Sequence, residues 1–148
     1  MNTSITDYQY NIQDSYNSTF LSVVNEISAN NKQHIFTITH FSTLKENWDS
    51  YGALKPSATA ITQAISFVIN LASKELETFF VAPTPDGDIL VELKNNSAHL
   101  EFIFSADVEN LIIGSDNGKV TFEHTHNDTT YNASLKWLIC PDGNCLNF

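Results

Sequence analysis

The chain has 148 residues, of which 42% are hydrophobic, and this predicts one folded domain over residues 1–148. Its formal charge is −10, from 17 acidic and seven basic residues, and every basic residue is a lysine. Without arginine, the bidentate contacts that a guanidinium makes with phosphate and guanine are missing. This composition therefore argues against nucleic acid as a partner and favours a cationic partner.

The N-terminal segment is polar, and we expect it to carry no targeting signal. Its first 15 residues, MNTSITDYQYNIQDS, lack a basic n-region and an apolar h-region, and no later stretch reaches the 18 apolar residues of a membrane span. We therefore expect a cytoplasmic protein with no membrane partner, in which residues 1–13 are poorly ordered. Cys140 and Cys145 are close enough in sequence to form a disulfide, but a reducing cytosol favours free thiols.

Three helices are predicted in the N-terminal half. Apolar residues between positions 20 and 27 recur at helical spacing, and the polar stretch SANNKQ ends that segment. A second, short helix is predicted over residues 41–50, followed by Gly52, which can adopt the left-handed conformation that closes a helix. Ser57 caps the third helix, whose apolar stripe ends near Leu76.

From residue 79 onward the apolar period changes from 3.6 to two. Two-residue loops at 95–96, 106–107, 117–118 and 127–128 preserve one apolar face through successive antiparallel strands. The predicted class is α+β, with about three N-terminal helices on one face of an antiparallel meander of five or six strands. The predicted inner face contains Ile89, Val91, Leu93, Ala98, Leu100, Phe102, Leu111, Ile113, Val120, Phe122, Tyr131, Ala133, Leu135, Trp137 and Ile139, and the outer face contains Glu92, His99, Glu101, Thr121, Glu123 and Lys136, interrupted by Leu90, Ile103 and Ile112.

The stretch from Trp48 to Gly52 has two interpretations. As a structural bend, Trp48 is largely buried on one helical face with Tyr51, and Asp49 accepts backbone hydrogen bonds. As a binding site, the indole of Trp48 and the phenol of Tyr51 form a ligand platform with Asp49 beside it. The bend is the favoured interpretation, and the platform is the alternative.

The stretch PTPDGD places Asp86 and Asp88 on either side of Gly87. Two carboxylates on a tight turn are suitable ligands for a hard cation, although the further oxygen ligands of calcium loops are missing. Pro-Asp-Gly is also a common turn sequence, in which the aspartate bonds its own backbone. The turn is the favoured interpretation of these residues.

Three consecutive stretches, NWDSYGALKPS, ATAITQAISFVINL and VAPTPDGDILVEL, together resemble a family of small uncharacterised bacterial proteins. Members of that family carry W-D-x-Y-G-A-x-x-P, an amphipathic helix, a P-x-P-D-G-x-I hairpin and a meander. The resemblance covers about residues 44 to 104. It implies a shared fold over those residues and no established activity.

Two histidine-containing groups are candidates for a metal site. His124 and His126 lie two residues apart, so they project from the same side of a strand, with Tyr131 opposite His124 in the predicted register. A half-buried, hydrogen-bonded histidine pair is the favoured interpretation.

On the predicted outer face, Glu92 lies opposite His99, with Glu101 nearby. These three side chains are suitable for metal binding or proton transfer, but an exposed charge pair across two strands is more common. The favoured interpretation is a structural pair.

The sequence lacks the common catalytic signatures, including G-x-S-x-G, G-x-x-x-x-G-K-S/T, G-x-G-x-x-G and H-E-x-x-H. We therefore predict a non-enzymatic protein that needs no cofactor and binds another protein with a basic surface. An immunity or antitoxin-like role against a basic toxin fits this charge, and a homo-oligomer is compatible with it. The alternative is a metal-binding protein or a metal-dependent enzyme that uses the histidine and glutamate residues above.

Overall fold

Helices flank a central run of strands in the described part of the chain. The computed structural model describes residues 27–140. The elements are α1 (Ala29–His40), a 3-10 turn (Phe41–Thr43), α2 (Ala58–Ser73), β1 (Phe80–Pro83), β2 (Ile89–Asn95), β3 (Ala98–Phe104), β4 (Leu111–Asp116), β5 (Lys119–Thr125) and α3 (Asp128–Ile139). The predicted α+β class is confirmed.

The five strands form one antiparallel sheet in the order β1-β2-β3-β4-β5, which confirms the meander. In the first long hairpin Asn95 pairs with Ala98, so the turn is Asn96-Ser97, one residue later than predicted. This moves the pairing by two residues and keeps the same inner face, with Val91 opposite Phe102.

The predicted orientation of β4 is wrong. Phe102 pairs with Ile112, which is fully buried, whereas Leu111 and Ile113 lie on the outer face and are half-buried. Residues 105–110 connect β3 to β4, in place of the predicted two-residue loop. The longer connection changes the register by an odd number of residues, and this turns every side chain of β4 to the opposite face.

The hairpin between β4 and β5 contains an irregularity that the sequence did not reveal. Its turn lies at Asn117-Gly118 as predicted, and Ser115 pairs with Val120. Val120 is 69% exposed, so its predicted place on the inner face is wrong. A bulge between Gly114 and Ser115 then shifts the pairing, so that Phe122 lies opposite Gly114 instead of Ile113.

The predicted last strand is a helix. Asn127 caps α3, because its side chain accepts from the Thr130 amide at 3.1 Å while the Thr130 hydroxyl accepts from the Asn127 amide at 3.0 Å. This reciprocal capping box starts the helix. The residues that α3 buries are Ser134, Leu135 and Leu138, which follow helical spacing and not the predicted alternation.

The N-terminal helices also differ from prediction. The predicted apolar segment 20–27 and the predicted poorly ordered segment 1–13 lie outside the described residues, apart from Ile27. The stretch SANNKQ begins a helix instead of ending one, because the Ser28 hydroxyl accepts from the Asn31 amide at 3.2 Å and caps α1. The helix predicted over residues 41–50 is reduced to the 3-10 turn.

Helix α2 begins as predicted. The Ser57 hydroxyl accepts from the Ala60 amide at 2.9 Å, and the helix ends at Ser73, three residues before Leu76. Its buried stripe continues into one core with the inner sheet face and the buried positions of α1 and α3. That core contains Ile38, Ala60, Ile61, Ala64, Phe67, Val68, Leu71, Val81, Ile89, Val91, Leu93, Ala98, Leu100, Phe102, Phe104, Ile112, Leu135 and Leu138.

None of the helices within residues 27–140 combines the length and the apolarity needed to cross a bilayer.

Candidate functional site

The Trp48–Gly52 stretch is a loop whose backbone is held by its own side chains. Oδ1 of Asp49 accepts from the amides of Tyr51 at 2.8 Å and Ala53 at 3.0 Å. These two bonds lower the pKa of the Asp49 carboxyl below its ordinary value, and the bond from Tyr51 has the largest effect. Asp49 therefore fixes the bend, as the favoured interpretation predicted.

Three residues in and next to this loop adopt the left-handed conformation. They are Asn47 with φ 62°, Ser50 with φ 67° and Gly52 with φ 94°. The Asn47 side chain accepts from the Gly52 amide at 2.7 Å, and the Asn47 amide donates to the Ala53 carbonyl at 2.7 Å. A non-glycine residue in this conformation costs about 1–2 kcal/mol, so the hydrogen bonds sustain a backbone that is locally strained.

Trp48 anchors the loop at its edge. Its indole Nε1 donates to the Leu54 carbonyl at 3.0 Å, and the side chain is half-buried, whereas we predicted that it is largely buried. Tyr51 has a different environment, because 94% of its surface is exposed. The two aromatic side chains therefore do not share one environment, and Tyr51 is the member of the pair that a partner can reach.

The segment that follows the Trp48–Gly52 loop is docked on the PTPDGD turn. The Leu54 amide donates to the Pro85 carbonyl at 2.8 Å, and the Ser57 amide donates to the Gly87 carbonyl at 2.9 Å. Gly87 has a φ of 84°, and a Cβ there would stand 3.0 Å from the Lys55 carbonyl oxygen. The two motifs that the sequence singled out separately therefore form one surface, which we call the paired-loop surface (residues 46–57 and 84–88).

On the PTPDGD turn, Asp86 is exposed and Asp88 is half-buried. The Thr84 amide donates to the Asp88 carbonyl at 2.9 Å, and the Thr84 hydroxyl accepts from the Asp88 amide at 3.2 Å. These bonds are those of a closed turn, and they use the backbone and the Thr84 hydroxyl and neither of the two carboxylates.

The glutamate and histidine residues of the outer sheet face lie together, in a different pairing from the predicted one. Glu92 is directly opposite Glu101, and His99 is opposite Lys94. Nδ1 of His99 contacts Oε1 of Glu92 diagonally across the two strands. Burial, and then the negative charge of Glu92, raise the pKa of the Glu101 carboxyl above its ordinary value.

The two other candidate histidines, His124 and His126, occupy different environments. His124 is exposed and stacks on Phe122, with 5.0 Å between ring centroids. His126 is half-buried, and its Nδ1 is buried without a hydrogen-bond partner. Burial lowers the pKa of the His126 imidazole. The rings around it, at centroid distances of 5.7 to 6.0 Å, are Phe67, Phe102, Phe104 and Tyr131.

Metal binding finds no support in this geometry. Within residues 27–140 no three side chains of histidine, cysteine, aspartate or glutamate are arranged to hold an ion. The expectation of free thiols is wrong as well, because Cys140 is disulfide-bonded. The only other cysteine in the sequence is Cys145, which lies outside the described residues.

Comparisons with protein-family models, with curated proteins and with solved structures give no match. The candidate site therefore rests on its own geometry. Sequence reasoning identified Trp48, Asp49, Tyr51, Asp86 and Asp88, but it missed Leu54, which is 53% exposed beside them. The sequence offers no signal for this exposure, because Ala53 lies between the same glycine and proline and is buried.

Proposed function

We propose that this protein is a non-enzymatic binding module for another protein, and that Tyr51 is its anchor residue. The observation that carries the proposal is the exposed phenol on a backbone fixed by hydrogen bonds. Tyrosine is enriched among the residues that dominate binding energy at protein interfaces. A loop that is already rigid loses little conformational entropy when a partner binds it, so more of the contact energy contributes to affinity.

The partner's surface is basic with an apolar pocket for Tyr51 and Leu54. Asp86 and Asp88 lie on the PTPDGD turn, whose Pro85 carbonyl accepts from the Leu54 amide, and the whole chain carries a formal charge of −10. Charges of this sign attract a cationic surface and repel nucleic acid. A basic toxin is a partner of this chemistry, which supports an immunity or antitoxin role as the specific form of the function.

The decisive experiment compares partners retained from extracts of the protein's own host. Wild type, Tyr51→Ala and Phe36→Ala serve as baits; Phe36, which is 60% exposed on α1, controls for unspecific adhesion of an exposed ring. We expect one protein that wild type and Phe36→Ala retain and that Tyr51→Ala loses at least about tenfold, as for the loss of an interface anchor. Equal retention by Tyr51→Ala would refute the proposal.

Salt supplies a second readout. Charges at the rim of the paired-loop surface are screened beyond about 8 Å at physiological ionic strength, so the proposed complex weakens as salt rises. Duplex DNA bound at 0.15 M salt would contradict the predicted partner class.

The proposed compartment is the cytoplasm, and the disulfide at Cys140 argues against it, because a reducing cytosol keeps cysteines as thiols. Alkylation of thiols in intact host cells before lysis tests this. Modification of both cysteines is the result expected for the cytoplasm, whereas protection of Cys140 would place the protein in an oxidising compartment.

A further inference from the structure

The outer face of the sheet is divided into two rows that run across the strands. The first, the apolar row, consists of directly paired residues on β1 to β4, namely Ala82, Leu90, Ile103 and Leu111. All four side chains lie outside the core and keep part of their surface exposed. The row begins next to the PTPDGD turn and therefore next to the paired-loop surface.

The second row, the acidic row, lies two residues from the apolar row on each strand, on the side away from the PTPDGD turn. Its members are Phe80, Glu92, Glu101, Ile113 and Glu123 in order of strand, each paired with the next. Phe80 is 47% exposed, and Glu123 is exposed as well. Three carboxylates and two apolar side chains thus share one line, with Glu92 and Glu101 as direct neighbours.

The acidic row has too few cations within the chain. Among the described residues, the glutamates of this row have one ion-pair contact, the one between Glu92 and His99. Lys94 is the nearest lysine on this face by register, and its Nζ lies 4.8 Å from the centre of the Phe79 ring instead of on a carboxylate. Glu101 and Glu123 are therefore left for cations from outside.

We propose that the outer sheet face binds an amphipathic helix of a partner protein, with apolar side chains on the apolar row and arginine or lysine on the acidic row. This inference rests on the proposed protein-binding function and assigns it a second surface. Charge complementarity selects this occupant. A second copy of the chain would instead bring further carboxylates towards Glu92, Glu101 and Glu123, which like-charge repulsion disfavours.

The spacing of the rows matches a helix laid across the strands. Neighbouring strands lie about 4.8 Å apart, so Glu101 and Glu123, two strands apart, are separated by about 10 Å. A helix rises 1.5 Å per residue, so cations seven residues apart are also about 10 Å apart. The two rows are about 7 Å apart along the strands, which a helix about 10 Å wide covers.

The test uses the full 148-residue protein and a synthetic 18-residue helical peptide with a leucine stripe and two arginines seven residues apart. Two matched peptides serve as controls, one with glutamate in place of arginine and one with serine in place of leucine. Binding is followed by fluorescence anisotropy of the labelled peptides. We expect only the peptide with both leucine and arginine to bind.

Variants of the protein then locate the peptide. The double variant Glu101→Gln/Glu123→Gln is expected to weaken binding about fivefold, and Leu111→Ser about tenfold. Glu75→Gln, an exposed glutamate after α2, is the control and should leave the affinity within about twofold, as for a distant rim charge. Circular dichroism and urea unfolding of each variant separate a binding defect from a folding defect.

Each outcome of these experiments supports or overturns the proposal that the outer sheet face binds a basic amphipathic helix. Equal binding of the arginine and glutamate peptides, or an affinity unchanged by both sheet variants, would overturn the inference. Self-association of the protein that Leu111→Ser abolishes, without peptide binding, would assign the face to a second copy and overturn it too. Because Tyr51 lies outside both rows, Tyr51→Ala should leave peptide affinity unchanged. Loss of the host partner in Tyr51→Ala without any peptide binding would refute this inference and leave the proposed function intact.

Discussion

The ring of Phe122 occupies the space that a side chain on Gly114 would need. A Cβ built on Gly114 would lie 2.4 Å from both Cε1 and Cζ of the ring. The ring is itself held by Trp137, in a T-shaped contact with 5.1 Å between centroids, and by His124, on which it stacks. Glycine at position 114 therefore lets the bulged end of the sheet pack against α3.

Gly114→Ala is expected to lower the free energy of unfolding by about 1–3 kcal/mol, because the added methyl displaces a ring that has neighbours on two sides. Urea unfolding measures the loss. In the double variant Gly114→Ala/Phe122→Leu the combined loss should be smaller than the sum of the two single losses, since the smaller side chain gives the methyl room. A Gly114→Ala protein as stable as its parent would show that the ring moves freely.

Asp49→Ala is expected to release the loop while the core stays folded. The variant removes the carboxylate that accepts from the amides of Tyr51 and Ala53, so these two amides should exchange hydrogen faster. Because the pKa of Asp49 is lowered, its contribution in wild type is present above the ordinary value of 3.8 and is lost as pH falls through the lowered pKa. Exchange measured by NMR at several pH values tests both statements.

Gly52→Ala is expected to destabilise the protein by about 1–2 kcal/mol, because alanine is disfavoured at positive φ. No heavy atom stands within 4 Å of the new Cβ, so steric contact contributes nothing to this loss. Tyr51→Ala, one residue earlier, removes an exposed side chain and should change stability by less than about 0.5 kcal/mol. Comparing the two urea midpoints separates the backbone requirement from the side chain offered to the partner.

His126→Phe is expected to reduce the pH dependence of stability. Burial lowers the pKa of His126 below its ordinary value of 6.5, so the unfolded chain takes up the proton first as pH falls. Wild type should therefore lose stability below about pH 6.5, and the variant should lose less. The pKa of His34 is also lowered by burial and has the same sign, so part of the slope should persist. Urea midpoints between pH 5 and 8 give the slope, and identical slopes would contradict the prediction.

Glu101→Gln is expected to stabilise the protein at pH 7. At that pH the folded state keeps a charge that burial and Glu92 disfavour, and glutamine removes the charge. The gain should shrink as pH falls through the raised pKa of Glu101, because the wild-type carboxyl then becomes neutral in the folded state. A variant less stable than wild type at pH 7 would show that the Glu101 charge is needed for folding.

The sequence was sufficient to predict which side chains of β2 and β3 face the core, because their alternation is regular and a shift of two residues leaves the inner face unchanged. The sequence was insufficient to predict the orientation of β4, because Leu111, Ile112 and Ile113 are all apolar and each is compatible with either face. One deciding contact is distant in sequence: the Asn110 side chain donates to Gln63 at 2.8 Å, while it also accepts from the nearby Ser105 amide at 2.8 Å. Periodicity alone does not contain this information.

Helix α3 was missed for a related reason. Residues 131–137 alternate in polarity, but Leu135 within this run and Leu138 after it also lie on one helical face. The capping box of Asn127 and Thr130 decides between the two, and it is visible in the sequence as a polar pair three residues apart. For the candidate site, the motif residues could be found from their composition. The docking of one loop on the other could not, because it depends on hydrogen bonds between backbone atoms, which every residue type can form.

Helix α3 is the last described element of the chain, yet it contacts β2, β3 and β4 and contributes Leu135 and Leu138 to their core. Proteins are synthesised from the N-terminus, so all five strands leave the ribosome before this cover does. During that interval the inner face of β4, with Ile112, lacks its final neighbours. When a C-terminal stalling extension holds residues 128–148 inside the exit tunnel, the nascent chain should therefore recruit chaperones, and release of α3 from the tunnel should end that recruitment.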